Sequence, residues 1–575
     1  MKLPPRYIAT LMLAAGVTVA ALLAVRHLRP PPDGRQSPAA QPPPTARHAI
    51  QLQDVLHRTG ITFVHTDGSS GRRYIVETVS AGLASFDYDG DGQIDIYLLN
   101  GAPLPGATAD PPPRNALYRN EGEWRFRDVT AEAGVGDTGF GLGVAVADWD
   151  NDGFPDLFVN NFGPNVLYRN NGDGTFSDVT HEAGVAGEGQ VGAGACFLDI
   201  DADGDLDLYA ANYVKFTYAT HVTQYQDGHP VYVGPRSYPF EPDLLYRNNG
   251  NGTFTDISVA SGIAAQASSG MGTVCCDYDG DGDTDVFVLN DVAGNYLFDN
   301  DGSGKFREAA LMAGVAYNAF GDELGSMGVD CGDYDNDGWP DFLTTSYQGE
   351  LPVLYRNRGD GTFEDATVRA GVGTAALRHV NWGVGLVDFD NDGHRDIFMA
   401  CGHLQDNIEL LDTSTAYQAR NILLANNGDG TFTDVSAVGG SGMLIERSSR
   451  GAAFDDLDND GRVDAVILNS RREPTVLRNE SPGGNHWLQL RLLGVHANRD
   501  GVGSRVTVVA GDLVQVAEVH SGRGYQSHFG SRLHFGLGPR HRVDRIEIRW
   551  IGGGVDVLQN VLVDRLVTIV ESHGS

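Results

Sequence analysis

Cysteine is scarce: the chain has five, Cys196, Cys275, Cys276, Cys331 and Cys401, among 575 residues. The number is odd, and the spacings match neither a zinc site nor the disulfide framework of a small secreted domain, so buried thiols are expected. A Cys275–Cys331 bridge between adjacent repeats is the alternative. Positive charge is also short, with 41 Lys and Arg against 76 Asp and Glu and a net charge of -35, which excludes nucleic acid as a partner.

Long apolar runs are missing except for Ile8 to Val25, 18 residues behind Lys2 and Arg6. The run is just long enough to span a membrane, and no small-x-small cleavage site follows it. Residues 1–29 are therefore read as an export signal retained as a membrane anchor, with a cleaved signal peptide as the alternative. Residues 30–47, rich in Pro, Ala, Gln and Ser, form an extended linker.

What is abundant is Asp in one arrangement. The run Asp-x-Asp-x-Asp-Gly-x-x-Asp occurs seven times, beginning at Asp87, Asp148, Asp199, Asp277, Asp333, Asp388 and Asp456. So many carboxylates in nine residues repel one another unless a cation sits among them, and hard oxygen ligands on a Gly-bent loop favour Ca²⁺. In the first copy the expected ligands are Asp87, Asp89, Asp91 and Asp95 with the backbone carbonyl of Gln93. The corresponding sets are Asp148, Asp150, Asp152 and Asp156 with Phe154; Asp199, Asp201, Asp203 and Asp207 with Asp205; and Asp277, Asp279, Asp281 and Asp285 with Asp283. They continue as Asp333, Asp335, Asp337 and Asp341 with Trp339; Asp388, Asp390, Asp392 and Asp396 with His394; and Asp456, Asp458, Asp460 and Asp464 with Arg462. Such variety at the seventh position suits a ligand that offers only backbone oxygen. An EF-hand is excluded, because its bidentate Glu at position twelve is replaced by Leu98, Val159, Ala210, Val288, Thr344, Met399 or Ile467.

The motif starts are 61, 51, 78, 56, 55 and 68 residues apart, room for a four-stranded unit. Each loop runs straight into a short apolar strand, such as Leu157-Phe-Val. A two-strand module with an Asn/Asp/Gly turn follows, as in Leu167-Tyr-Arg-Asn-Asn-Gly-Asp-Gly-Thr-Phe-Ser-Asp-Val-Thr180, and then a Gly-rich strand leads to the next loop. The seventh copy lacks its last strand, and Leu52 to Ile61 aligns with Phe176 to Val185 and supplies it. The expectation is an all-β chain: a seven-bladed β-propeller over residues 48–484, closed by an N-terminal strand, then a small β-sandwich or barrel over 485–575.

These repeats resemble the FG-GAP/VCBS repeats of integrin α-subunit-like propellers. The tail, with Asn485-His-Trp-Leu-Gln-Leu, Gly503-Ser-Arg-Val-Thr-Val, Gly522-Arg-Gly-Tyr-Gln-Ser, Leu533-His-Phe-Gly-Leu-Gly538 and Ile546-Glu-Ile-Arg-Trp550, looks like an ASPIC/UnbV domain. The combination is similar to the cartilage acidic protein 1 family. That resemblance implies the fold and structural Ca²⁺ sites, and carries over no single activity.

Function is sought on the face away from the Asp loops. Its loops hold Glu77, Asp291, Asn295, Asp322, Glu323, His379, His403, Asp406, Glu446, Arg447 and Arg450, polar residues that strand packing does not require. An aromatic-rich insertion, Tyr213 to Pro242, accounts for the longest interval; its aromatics are expected to pack it onto the ring, with a cap or partner-docking element as the alternative. Arg523, Tyr525 and His528 cluster in the Gly-rich segment of the tail, where a binding site could form; packing against the propeller is the expected role. One reading is an extracytoplasmic binding or adhesion module for a protein or glycan, with Glu77, Asp291, Glu323, Arg447, Tyr213 and Arg523 as ligand-contact candidates. The other is an enzyme acting on a small molecule by lyase, cyclase or hydrolase chemistry, with His379, His403 or Glu446 as acid or base and Arg450 holding an anion. Convergence of those four in one pocket separates the two. An extracytoplasmic location follows from Ca²⁺ loops of this kind, which fill at about 10⁻⁴ to 10⁻³ M.

Overall fold

The computed structural model describes residues 49–80 and 82–572. The apolar run and the Pro-rich segment lie outside the described residues. Among those described, no helix is long and apolar enough to cross a membrane.

The chain is all-β, built on repeated four-stranded antiparallel sheets. The second repeat is typical: Phe140–Ala147, Asp156–Phe162, Val166–Asn170 and Phe176–Asp178 pair in sequence order. The second strand begins at the last Asp of the loop, so each acidic loop joins the first two strands of its sheet. In the seventh sheet Ser449–Asp455, Asp464–Asn469 and Thr475–Asn479 are joined by Leu52–Asp54, with Leu52 opposite Asn479 and Asp54 opposite Leu477. Each sheet is open, and none closes on itself by hydrogen bonds.

The Gly-rich first strands are explained by their neighbours. Each packs beside the first strand of the next sheet, and Ser449–Asp455 also packs beside Leu83–Phe86 of the first. A Cβ on Gly143 would lie 1.9 Å from the Ala193 carbonyl oxygen, and one on Gly328 would lie 2.1 Å from that of Trp382, so backbone meets backbone here. Cys196, Cys275 and Cys331 also lie on these strands. All five cysteines are buried and free, so the Cys275–Cys331 alternative fails; the thiol beside Cys331 is that of Cys276, while Cys275 faces Cys196.

One-turn helices after the outer strands, such as Thr180–Ala183, were not anticipated. The Asp178 carboxylate accepts the Thr180 N–H at 3.0 Å, and Gly184 at φ 80° ends the turn in the left-handed region. Leu56–Thr59 followed by Gly60 repeats the arrangement behind the N-terminal strand.

Beyond Asn485 two open sheets share one apolar core that includes Leu488, Leu490, Val508, Phe535 and Ile546. One sheet orders Leu533–Gly538, His486–Leu493 and Arg565–Val570; the other orders Leu513–Glu518, Arg505–Ala510, Arg542–Arg549 and Val555–Leu562. Two open sheets over a common core form a sandwich.

Candidate metal loops and the opposite face

Each acidic loop is folded by its own carboxylates. In the second copy Asp148 accepts the N–H groups of Asp152 at 2.9 Å and Gly153 at 2.7 Å, and Asp152 accepts that of Phe154 at 3.0 Å. Gly153, at φ 99°, makes the bend that aims these groups inward. Asp156 is fully buried and accepts the N–H of Trp149 at 3.2 Å and of Asn170 at 2.7 Å, tying loop, second strand and third strand together. The side chains of Phe154, Trp339 and Arg462 vary because the loop uses their backbone: each donates its N–H to the fifth-position Asp.

Oxygens remain for a cation. In Asp87/Asp89/Asp95, Asp148/Asp150/Asp156, Asp199/Asp201/Asp203, Asp277/Asp279/Asp285 and Asp333/Asp335/Asp341, one oxygen from each acid lies within 4.8 Å of the others. Oδ1 of Asp87, Asp150, Asp201, Asp335 and Asp458 is buried with no hydrogen-bond partner. Burial, reinforced by neighbouring carboxylates, pushes Asp148 up to about 8, Asp333 and Asp456 to about 7 and Asp199 to about 6. Buried oxygens without donors, crowded and acceptor-only, fit a hard divalent cation, which would supply the missing charge.

The feature that the sequence analysis passed over is the Asn ending each third strand: Asn120, Asn170, Asn248, Asn300, Asn357, Asn426 and Asn479. Its side-chain amide donates twice, once inside its own repeat and once to the preceding one. Asn170 donates to the carbonyls of Pro155 at 3.1 Å and of Tyr88, in the first acidic loop, at 2.8 Å. Asn248 reaches Trp149, Asn300 Ile200, Asn357 Tyr278, Asn426 Tyr334 and Asn479 Phe389 in the same way. Asn120 reaches Leu457 of the seventh loop at 2.8 Å. The signal was available, since Asn stands at this place in every copy.

The C-terminal domain sits on these loops. The Asp500 carboxylate accepts the Asp148 N–H at 2.7 Å, Gln489 donates to Asp456 at 3.0 Å, and Arg532 donates to Asn459 at 2.8 Å. Its Gly-rich segment enters between the first strands: Gly524 pairs with Val329, His528 exchanges backbone hydrogen bonds with Leu83 and Ser85, and Val144 donates to the Gln526 carbonyl. Tyr525 is fully buried, and Arg523 donates to the fully buried Asp330 at 2.6 Å. Arg523, Tyr525 and His528 are thus contacts between domain and repeats. Arg523 also lines a cavity of about 80 Å³ between them.

The loops at the other ends of the strands carry the remaining candidates. His403 and Arg450 are both buried and close: Arg450 stacks over Trp382 at 4.1 Å and donates to Ser448 at 2.9 Å, while Ser448 donates to the His403 carbonyl. Burial, with Arg450 nearby, holds His403 down at about 4, and its Nδ1 accepts the Gln405 N–H. Glu446 is exposed and pairs with Arg420 at 3.2 Å. Arg447 pairs with Glu473 at 3.2 Å and Glu323 with Arg236. Of the four residues named for catalysis, His403 and Arg450 are the two linked by contacts.

Glu77 and Asp291 instead meet the insertion, Asp291 through Tyr213 at its start. Tyr232 donates its hydroxyl to Glu77 at 2.8 Å and exchanges two backbone hydrogen bonds with the Gln405 side chain. Arg471 joins Asp67 at 2.5 Å and Asp406 at 3.0 Å beside it, and Arg73 joins Asp406 at 2.7 Å. Beneath the insertion lies a cavity of about 170 Å³.

Open four-stranded sheets in series, each with an acidic loop between its first two strands, define an acidic-loop β-repeat protein. The FG-GAP-like repeat model matches residues 87–159, 148–210, 226–288, 277–344 and 333–399, more than half of the chain, and the ASPIC and UnbV model matches 494–575. Cartilage acidic protein 1 of Mus musculus is 24% identical over 502 residues, 85% of this chain and 64% of that protein. The Homo sapiens protein is 25% identical over 366 residues, 62% of this chain and 51% of that one. The chain thus spans 48–64% of the length of the curated relatives it matches. An Agrocybe aegerita lectin specific for non-reducing terminal N-acetylglucosamine shares 19% identity at a TM-score of 0.36, covering 62% of this chain and 79% of that one, too slight a likeness to argue from. The chain belongs to the FG-GAP-repeat, ASPIC/UnbV proteins of the cartilage acidic protein 1-like family.

Proposed function

We propose that the chain is a Ca²⁺-stabilised, closed seven-bladed propeller that acts outside the cytoplasm as a binding module for a protein or glycan. The observation that carries the Ca²⁺ reading is the set of buried carboxylate oxygens without donors in repeated loops. Closure is supported by the Asn120 amide reaching the seventh loop and by Leu52–Asp54 completing the seventh sheet. Residues 48–484 form the propeller and 485–575 the ASPIC/UnbV domain, with residues 1–29 as an anchor. Filled protein shells repeated in every unit make the metals scaffold, and the loops of the other face, with the insertion, carry recognition.

In each loop the acids of positions one, three, five and nine would hold the ion, with the seventh-position carbonyl. The bound Ca²⁺ cancels carboxylate repulsion. One site at a hundred times its Kd adds about 2.7 kcal/mol to stability, and several sites add more. Thermal unfolding in millimolar Ca²⁺ should therefore exceed that in excess chelator by many degrees. An unchanged melting temperature would remove Ca²⁺ from the account.

A further inference from the structure

The cavity under the insertion is walled by Tyr213, Tyr232, Tyr347 and Trp382 and contains two carboxylates, Asp291 and Glu350. Neither acid has an ion-pair partner among the described residues. Asp291 accepts the Tyr213 hydroxyl at 2.6 Å, and Glu350 accepts the N–H groups of Gly325 at 2.8 Å and Tyr347 at 3.3 Å. The nearest cationic influence on Asp291 is Arg236, which is committed to the Val292 carbonyl and to Glu323.

Both carboxylates approach Gly325, where a Cβ would lie 2.9 Å from Tyr347 Cβ, 3.3 Å from Asp291 Oδ1 and 3.6 Å from Glu350 Oε2. A second anomaly lies deeper. Tyr525, fully buried with its ring 5.1 Å from that of Trp382, has a hydroxyl with no hydrogen-bond partner. It packs in one cluster with Tyr213, Met271, Met327 and Trp382, all of which line the cavity. An unpaired buried donor calls for an acceptor that the protein does not supply.

Two uncompensated carboxylates inside an aromatic wall are costly to desolvate unless positive charge enters with the ligand. Arg450 already covers Trp382 at 4.1 Å and Arg73 covers Tyr232 at 4.9 Å, so Tyr213 and Tyr347 are the wall rings whose faces would attract the same charge. We propose that this cavity binds a small organic cation, an ammonium group held by Asp291 and Glu350 against the rings. The inference goes beyond the scaffold reading, whose chelation test is independent of it.

Isothermal titration of the full-length, Ca²⁺-loaded chain uses choline and its uncharged isostere 3,3-dimethylbutan-1-ol, which keeps the hydroxyl and the shape. Choline is expected to bind, and the isostere to bind at least about tenfold more weakly, a difference of about 1.4 kcal/mol. Asp291→Asn and Glu350→Gln should each weaken choline by at least that factor, with melting temperatures of the variants checked in the same buffer. Glu350→Gln serves alone if Asp291→Asn does not fold. Equal binding of the isostere, wild-type affinity in the folded variants, or no heat from choline at millimolar concentration would each overturn the assignment.

Discussion

Replacing Asn170 by Ala tests the idea that the third-strand Asn, and not the turn it opens, joins neighbouring repeats. The side chain is 1% exposed and makes three hydrogen bonds: to the carbonyls of Tyr88 and Pro155, and from the Gly172 N–H at 3.0 Å. Each is worth about 1 kcal/mol net, and a buried carbonyl left without a donor moves the cost upward, so Asn170→Ala should lose about 3–5 kcal/mol. The next residue is the control. Asn171 is exposed and its side chain bonds only those of Thr175 and Ser177, both at 3.0 Å, so Asn171→Ala should cost no more than about 0.5 kcal/mol. Calorimetric melting in Ca²⁺ reads the difference directly, at about 2 °C per kcal/mol or somewhat less for a unit of this size. Equal melting temperatures for the two variants would refute the clasp. A third variant extends the argument to ring closure, because Asn120 binds the first repeat to the seventh: Asn120→Ala should cost as much as Asn170→Ala if the ring is shut.

Two further outcomes follow from charge. Without metal, Asp148, Asp199, Asp333 and Asp456 titrate between about 6 and about 8 in the fold, above the value of 3.8 for a free Asp, so the folded state holds more protons across that window and stability falls as pH rises from about 4 to about 8. Melting in chelator should be highest near the acidic end and lowest near pH 8, with millimolar Ca²⁺ flattening the slope as it displaces the protons; a chelator profile that rises with pH contradicts this. Arg523→Ala leaves Asp330 fully buried without its cation and should cost about 3–5 kcal/mol, and proteolysis should then release the segment after Asn485 sooner than in the parent chain. Unchanged proteolysis would show that the buried pair does not hold the domain in place.

How much of this was legible depended on the range of the forces involved. The acidic loops are local: repulsion among carboxylates within nine residues and a glycine at the bend are visible in one dimension, and so is the alternation that makes strands. The N-terminal strand was legible because the seventh copy lacks one and Leu52 to Ile61 carries its pattern, and Leu52 does pair with Asn479. The Asn clasp was hidden by its own neighbourhood. Asn170 precedes Asn171-Gly172, where turn chemistry is a sufficient explanation of Asn, and its partner Tyr88 lies 82 residues away. The Gly522–Ser527 segment was expected to pack against the propeller, as it does, but the strands it enters between were not legible for the same reason. Its glycines look like those of an exposed loop, yet a Cβ on Gly522 would lie 1.9 Å from the Ala195 carbonyl oxygen, a contact made only when a later domain enters between the first strands of earlier sheets. Glycine and asparagine are required for turns and for close approach alike, and only the distant surface decides which. The same holds for the catalytic candidates: His403 and Arg450 came together because their loops face one another, whereas Glu446 met Arg420 on a two-strand rim. Residue type could nominate each of them, but which ones share a pocket is fixed by the order of sheets around them, and no spacing in the chain encodes that separately from the fold.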